Sequence, residues 1–98
     1  MKIVKITSLG CPSCIIMNKI MKEIEAQYSQ IQYEVLDYDF DDDVSKYNPG
    51  NILPIFIFIQ NDKEINRLVG EHKKEEIIKI IKEVYEKDNE SNNEKINK

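Results

Sequence analysis

Residues Ser8–Met17 read "SLGCPSCIIM", directly after Lys2–Thr7, "KIVKIT". The earlier hexamer is short and rich in β-branched residues, which predicts a strand. Pro12 suits the first turn of a helix, where its missing N–H would have had no intrahelical partner. Cys11 and Cys14 are the only cysteines in the chain. They therefore sit three positions apart where a strand hands over to a helix. Three uses compete for such a pair: exchanging electrons, holding a metal, or filling space.

Working outward, Ile16, Ile20 and Ile24 recur every four residues, with Met17, Met21 and Tyr28 alongside. This spacing predicts a helix from about Pro12 to Tyr28 with those residues on its buried face. "IQYEVLDY" follows as a second strand, and "DDVSKY" as a short helix behind the acidic stretch Asp37–Asp43. "NPGN" breaks the chain, and "PIFIFI" is a continuous apolar run of the kind found in strands covered on both faces. "QNDK" makes a turn into "EINRLV", a further strand that closes a hairpin. Ile77, Ile78, Ile81, Val84 and Tyr85 then give an amphipathic helix from about Lys73 to Lys87. The expected order is β-α-β-α-β-β-α, an α/β domain with helices covering a mixed sheet. Residues 1–87 form one domain, and the polar tail 88–98, which carries almost nothing to bury, is expected to fray or stay disordered.

Composition narrows the function classes. A chain of 98 residues has room for one core and none for a separate flavin or nicotinamide domain, and no G-x-G-x-x-G run is present. The net charge of −4 argues against nucleic acid as a partner. The longest apolar run, Ile52–Ile59, is too short to span a bilayer. The amino terminus lacks the apolar core of a secretory signal, so a cytoplasmic location is expected, with no membrane association. A reducing cytosol disfavours structural disulfides, and a bridge across three residues would constrain the unfolded chain little.

Redox chemistry fits the pair better. A thiol–disulfide catalyst needs one thiolate that attacks and a second thiol near enough to resolve the mixed disulfide. At a helix start, free backbone N–H groups and the helix dipole favour negative charge on Cys11, while Cys14 lies a turn further in. Cys11 is the expected nucleophile and Cys14 the expected resolving thiol. The strand-then-helix setting raises C-x-x-C above a chance match.

Element order and motifs together resemble the thioredoxin family, over residues 2 to about 87. Three features carry the resemblance: "CPSC" between the first strand and helix, "NILPIFIF" with Pro54 opening the central strand, and "EINRLVG" with Gly70 before the last helix. It implies a thioredoxin-like three-layer α/β/α fold and a monomeric protein-disulfide reductase. It also implies a cis Leu53–Pro54 peptide, and a substrate-binding rim made of Gly10, Pro12, Leu53, Pro54 and Gly70. No cofactor is expected to be bound. The redox-active disulfide Cys11–Cys14 would be reset by an external reductant, either a thioredoxin reductase using NADPH or a small thiol, and the substrates would be disulfide-containing proteins.

The chain departs from that family in places. Gly10 stands where thioredoxins carry tryptophan, and the chain has no tryptophan. Pro12-Ser13 is closer to the Pro-Tyr of glutaredoxins, whose Gly-Gly-x-Asp pattern is missing. Lys5 occupies the position of the family's buried carboxylate, which implies either a lysine pointing to solvent or another route for the proton.

Other readings carry less weight. Metal needs about four ligands, so Cys11 and Cys14 would require a bridged dimer to hold zinc or an iron–sulfur cluster; no metal is expected. A groove used as an adaptor without turnover is a third possibility. Asp37, Asp39 and Asp41 open like a calcium loop, but Asp42 stands at the required glycine and Asn48 at the final glutamate. His72 reads as a surface or capping residue and is given no catalytic role.

Overall fold

A computed structural model describes the backbone of residues 1–97 and the side chains of residues 1–86. Strand β1 spans Lys2–Thr7, helix α1 Pro12–Gln27, β2 Gln32–Asp37, a 3-10 helix Asp42–Tyr47, β3 Ile55–Gln60, β4 Lys63–Val69 and helix α2 Lys74–Asn97. The element order is the expected one. Helix α2 runs past the end expected near Lys87, and the side chains of the polar tail lie outside the described residues.

The sheet order is β2-β1-β3-β4, with β1 parallel to β2 and antiparallel to β3, and β3 antiparallel to β4. Period-two alternation along β1 and β3 divides the core between the two faces. Ile3, Phe56 and Phe58 pack under Met17, Met21 and Ile24 of α1 and Ile77, Ile80 and Ile81 of α2. Val4, Ile6, Leu36, Ile55 and Ile57 face the other way, against Val44 of the 3-10 helix. The continuous "IFIFI" of β3 follows from this: both of its faces are covered. The third layer is a single short 3-10 helix. Arg67 on β4 holds it in place by donating to the carbonyls of Tyr47 and Asn48, while Glu64 orients the guanidinium.

One expectation about α1 needs correction. Its buried positions are Cys14, Met17, Met21 and Ile24, whereas Ile16 is half exposed and Ile20 only partly buried. A strict spacing of four advances about 40° beyond a full turn at each step, so it drifts off the face, while spacings of three and four alternate to stay on it.

Register decides where the functional loops meet. Ile6 pairs with Leu36 and with Ile55, and Ile55 pairs with Val69. The loop after β1, the acidic loop after β2, the Leu53–Pro54 segment before β3 and Gly70 after β4 therefore all emerge at one end of the sheet.

Candidate active site

Cys11 is the N-cap of α1, with extended backbone (φ −101°, ψ 108°), and Pro12 occupies the first turn. An N-cap side chain normally accepts a hydrogen bond from an amide two or three residues on. Here the acceptor is sulfur: the Cys14 N–H donates to Cys11 Sγ at 3.1 Å. The N–H of Cys11 itself donates to the Ser8 carbonyl at 3.3 Å, which closes the loop tightly. Cys11 is half-buried, and Cys14 is buried at 2% exposure; both are free thiols. The two cysteines thus differ in access although they lie on adjoining turns.

Burial pushes the Cys14 thiol up to about 11, and the hydrogen bond with Cys11 adds to the rise. Lys5 and a backbone hydrogen bond from Ser8 oppose it. The proton is therefore held firmly until something draws it away. A stability effect follows from proton counting. Above the ordinary value of 9.0 the unfolded chain gives up this proton while the folded chain keeps it. The reduced protein is expected to lose stability as pH climbs from about 9 towards about 11. Urea melts of reduced wild type and Cys14→Ser across that interval check this: the variant should show a shallower decline, and identical slopes would refute the assignment.

Lys5 does not simply point to solvent. It is half-buried on the sheet face beneath α1, and burial lowers its amine from the usual lysine value. Glu25 and Cys14 favour its charge, and Lys22 opposes it. The family pattern alone marks this position as a buried one, and the surrounding arises where β1 passes under α1, which starts five residues after the strand ends. Ser8 was also not among the candidates. Its hydroxyl donates to Asp39 Oδ2 at 2.8 Å, tying the cysteine loop to the acidic loop. A serine just before a C-x-x-C turn was the available signal.

The rest of the rim is placed as follows. Gly10 and Pro12 are exposed beside Cys11, and a side chain at Gly10 would meet nothing within 4 Å. The Leu53–Pro54 peptide is cis, Pro54 is buried, and Leu53 packs against the core beside the 3-10 helix. Gly70 adopts φ +87°, a conformation that side chains other than glycine rarely take, and its N–H donates to the Pro54 carbonyl at 2.7 Å. This bond joins Pro54 and Gly70 directly. Ile52 and Val69 beside them, and Leu9 in the cysteine loop, leave apolar surface exposed at this end. The aspartates of the acidic loop are occupied locally: Asp37 Oδ1 accepts from the N–H groups of Asp39 and Phe40, and Asp41 Oδ2 from that of Asp37. Among the described residues, no three His, Cys, Asp or Glu side chains converge as a metal site would require, and no helix is long and apolar enough to cross a membrane.

Comparison with known proteins adds sequence and fold relationships to this geometry. The thioredoxin family model matches residues 1–83. Thioredoxin H7 of Arabidopsis thaliana is 31% identical over 81 residues, 83% of this chain and 62% of that protein. Glutaredoxin-3 of Bos taurus is 31% identical over 61 residues, 62% of this chain and 18% of that protein. The chain thus spans less than two thirds of the length of either relative. Among solved structures, thioredoxin NaTrxh from Nicotiana alata superposes with a TM-score of 0.75 at 27% identity, covering 84% of this chain and 70% of that one. Thioredoxin-2 of a malaria parasite gives 0.76 at 18% identity, covering 84% and 81%, a likeness of fold. The family match begins at β1 and ends inside α2, taking in every element that positions the two cysteines, and on that ground the chain belongs to the thioredoxin family.

Proposed function

We propose that the protein is a thiol–disulfide oxidoreductase that reduces disulfides in protein substrates through Cys11 and Cys14. The observation that supports this reading most directly is the cap of α1, where a reachable sulfur receives a backbone N–H and a buried thiol stands one turn behind it.

The cycle balances in two exchanges. The Cys11 thiolate attacks one sulfur of the substrate disulfide, forms a mixed disulfide and releases the other substrate sulfur as a thiolate. Cys14 then loses its proton and attacks Cys11 Sγ, which closes the Cys11–Cys14 disulfide and releases the second substrate thiol. The substrate gains two electrons and two protons. An external reductant, a flavin-dependent reductase or a small thiol, returns the protein to the dithiol form. An extended substrate segment lies along Leu53, Pro54 and Gly70, where Ile52, Val69 and Leu9 offer apolar contact. A reducing compartment such as the cytoplasm suits this direction of flow.

Lys5 serves the second exchange. Its positive charge favours the Cys14 thiolate in a site whose burial otherwise resists ionisation. Lys5→Met is expected to slow resolution of the mixed disulfide by about twofold to fivefold at neutral pH, since each unit of thiol pKa is worth a factor of about ten in thiolate. Stopped-flow release of a fluorescent substrate thiol measures that step; an unchanged rate would remove Lys5 from the mechanism. Reduction of insulin disulfides, followed by the turbidity of the freed B chain, tests the reaction as a whole.

A further inference from the structure

His72 connects the rim of the groove to the start of α2, and both of its ring nitrogens face acceptors. Nδ1 lies 2.6 Å from Glu76 Oε2, and Nε2 lies 3.0 Å from the Val69 carbonyl oxygen. A neutral imidazole carries one N–H and can satisfy one of these contacts; the imidazolium, with two, satisfies both. The bond to the carboxylate is charge-assisted and the shorter, so a ring that loses one proton keeps it and turns a lone pair towards Val69. That carbonyl belongs to the last residue of β4, and the next residue is Gly70, whose N–H holds Pro54. The other oxygen of Glu76 accepts from the Lys73 N–H at 3.4 Å, so the anchor at the far end of the link is itself fixed to the first turn of α2.

We propose that His72 is a positioning residue which, as the imidazolium, ties Val69 and Gly70 to α2 and so holds the substrate rim in its binding shape. The consequence for substrate affinity rests on the oxidoreductase reading given above. Glu76 on α2 is the charged group that faces the ring, Lys73 stands beside Glu76, and the contact from β4 is a backbone carbonyl rather than a side chain. The hydrogen bond to Glu76 leads in raising the His72 value above the ordinary 6.5, with burial opposing and the Val69 bond assisting. The imidazolium form is thus favoured here more than in a free histidine. The tie belongs to the protonated ring, so it is present at low pH and is lost as pH rises through a folded value above the ordinary 6.5.

Two measurements on the full chain test this. In an NMR titration, the His72 ring protons and the Gly70 amide are expected to move with one shared midpoint, and in His72→Gln the Gly70 amide should lose that transition. In insulin reduction, the wild-type KM should rise about fivefold across the same interval, the effect of about one hydrogen bond, with kcat following only the thiol chemistry. His72→Gln should show the high-pH KM throughout. A Gly70 amide that ignores the His72 midpoint, or a variant that keeps the wild-type KM profile, overturns the proposal. Should the wild type reduce no insulin at any pH, the oxidoreductase reading falls, and the Gly70 titration alone decides whether the tie exists.

Discussion

Cys11→Ser and Cys14→Ser are both expected to bring insulin reduction down to the rate of dithiothreitol alone, and only the second, mixed with substrate without added reductant, is expected to be left covalently joined to it. The asymmetry follows from which sulfur can be reached. Cys11 is half-buried at the cap of α1, whereas Cys14 is 2% exposed behind it. Without Cys11 no mixed disulfide forms, because a serine hydroxyl is not a sulfur nucleophile and Cys14 keeps its proton to about 11. Without Cys14 the first exchange proceeds and stops, and a band that vanishes on reduction accumulates to about one equivalent. Non-reducing gel electrophoresis and mass spectrometry detect it. Turnover retained by Cys11→Ser would end the assignment of the nucleophile. Activity retained by Cys14→Ser with glutathione would point to the one-thiol route of glutaredoxins, in which a small thiol performs the second exchange.

Phe56→Ala is expected to destabilise the domain by about 3–5 kcal/mol, a large part of the 5–15 kcal/mol typical of a small protein. Phe56 is fully buried near the start of β3, between Lys5 on β1 and Leu68 on β4, and packs in the cluster roofed by α1 and α2. Removing the ring leaves a cavity under two helices that are held in place by the same cluster, so little can collapse into it. Phe56→Leu keeps most of the volume and should cost far less, about 1–1.5 kcal/mol. Ile65→Thr on the exposed side of β4 should stay within about 0.5 kcal/mol. Urea denaturation of the three variants measures the order. A loss below about 1 kcal/mol for Phe56→Ala would mean that the two faces of the sheet do not form a cooperative core.

Much of this molecule was legible in its sequence because local signals agreed with each other. The run "IFIFI" could be hidden on both faces only at the centre of a sheet, and Pro12 after Cys11 marked the helix start to the residue. "DDVSKY" marks the 3-10 helix at its observed bounds. What stayed hidden depended on elements meeting across space. Ile16 looked like core because a spacing of four mimics a helical face over two turns, yet the sheet selects Met17 and Met21. Lys5 stands out only by its place in the family pattern, and which of its two readings holds is decided once α1 is laid over it beside Cys14. His72 looked like a capping residue, and its bond to Glu76 lies within the span of one helical turn. Its bond to Val69 depends on how β4 delivers the chain to α2, which no local pattern encodes.

The register that gathers every loop of the rim at one end also settles what occupies the opposite pole. The chain enters β1 there, the Gln32 amide meets the Met1 carbonyl, and the tight Asn61–Asp62 reversal joining β3 to β4 sits with them. A fusion partner or surface tether joined upstream of Met1 therefore leaves the cysteines facing outward, about the length of a strand away, roughly 20 Å. That polarity makes the domain suited to immobilisation by its amino-terminal side, with the end that carries Cys11 left unobstructed.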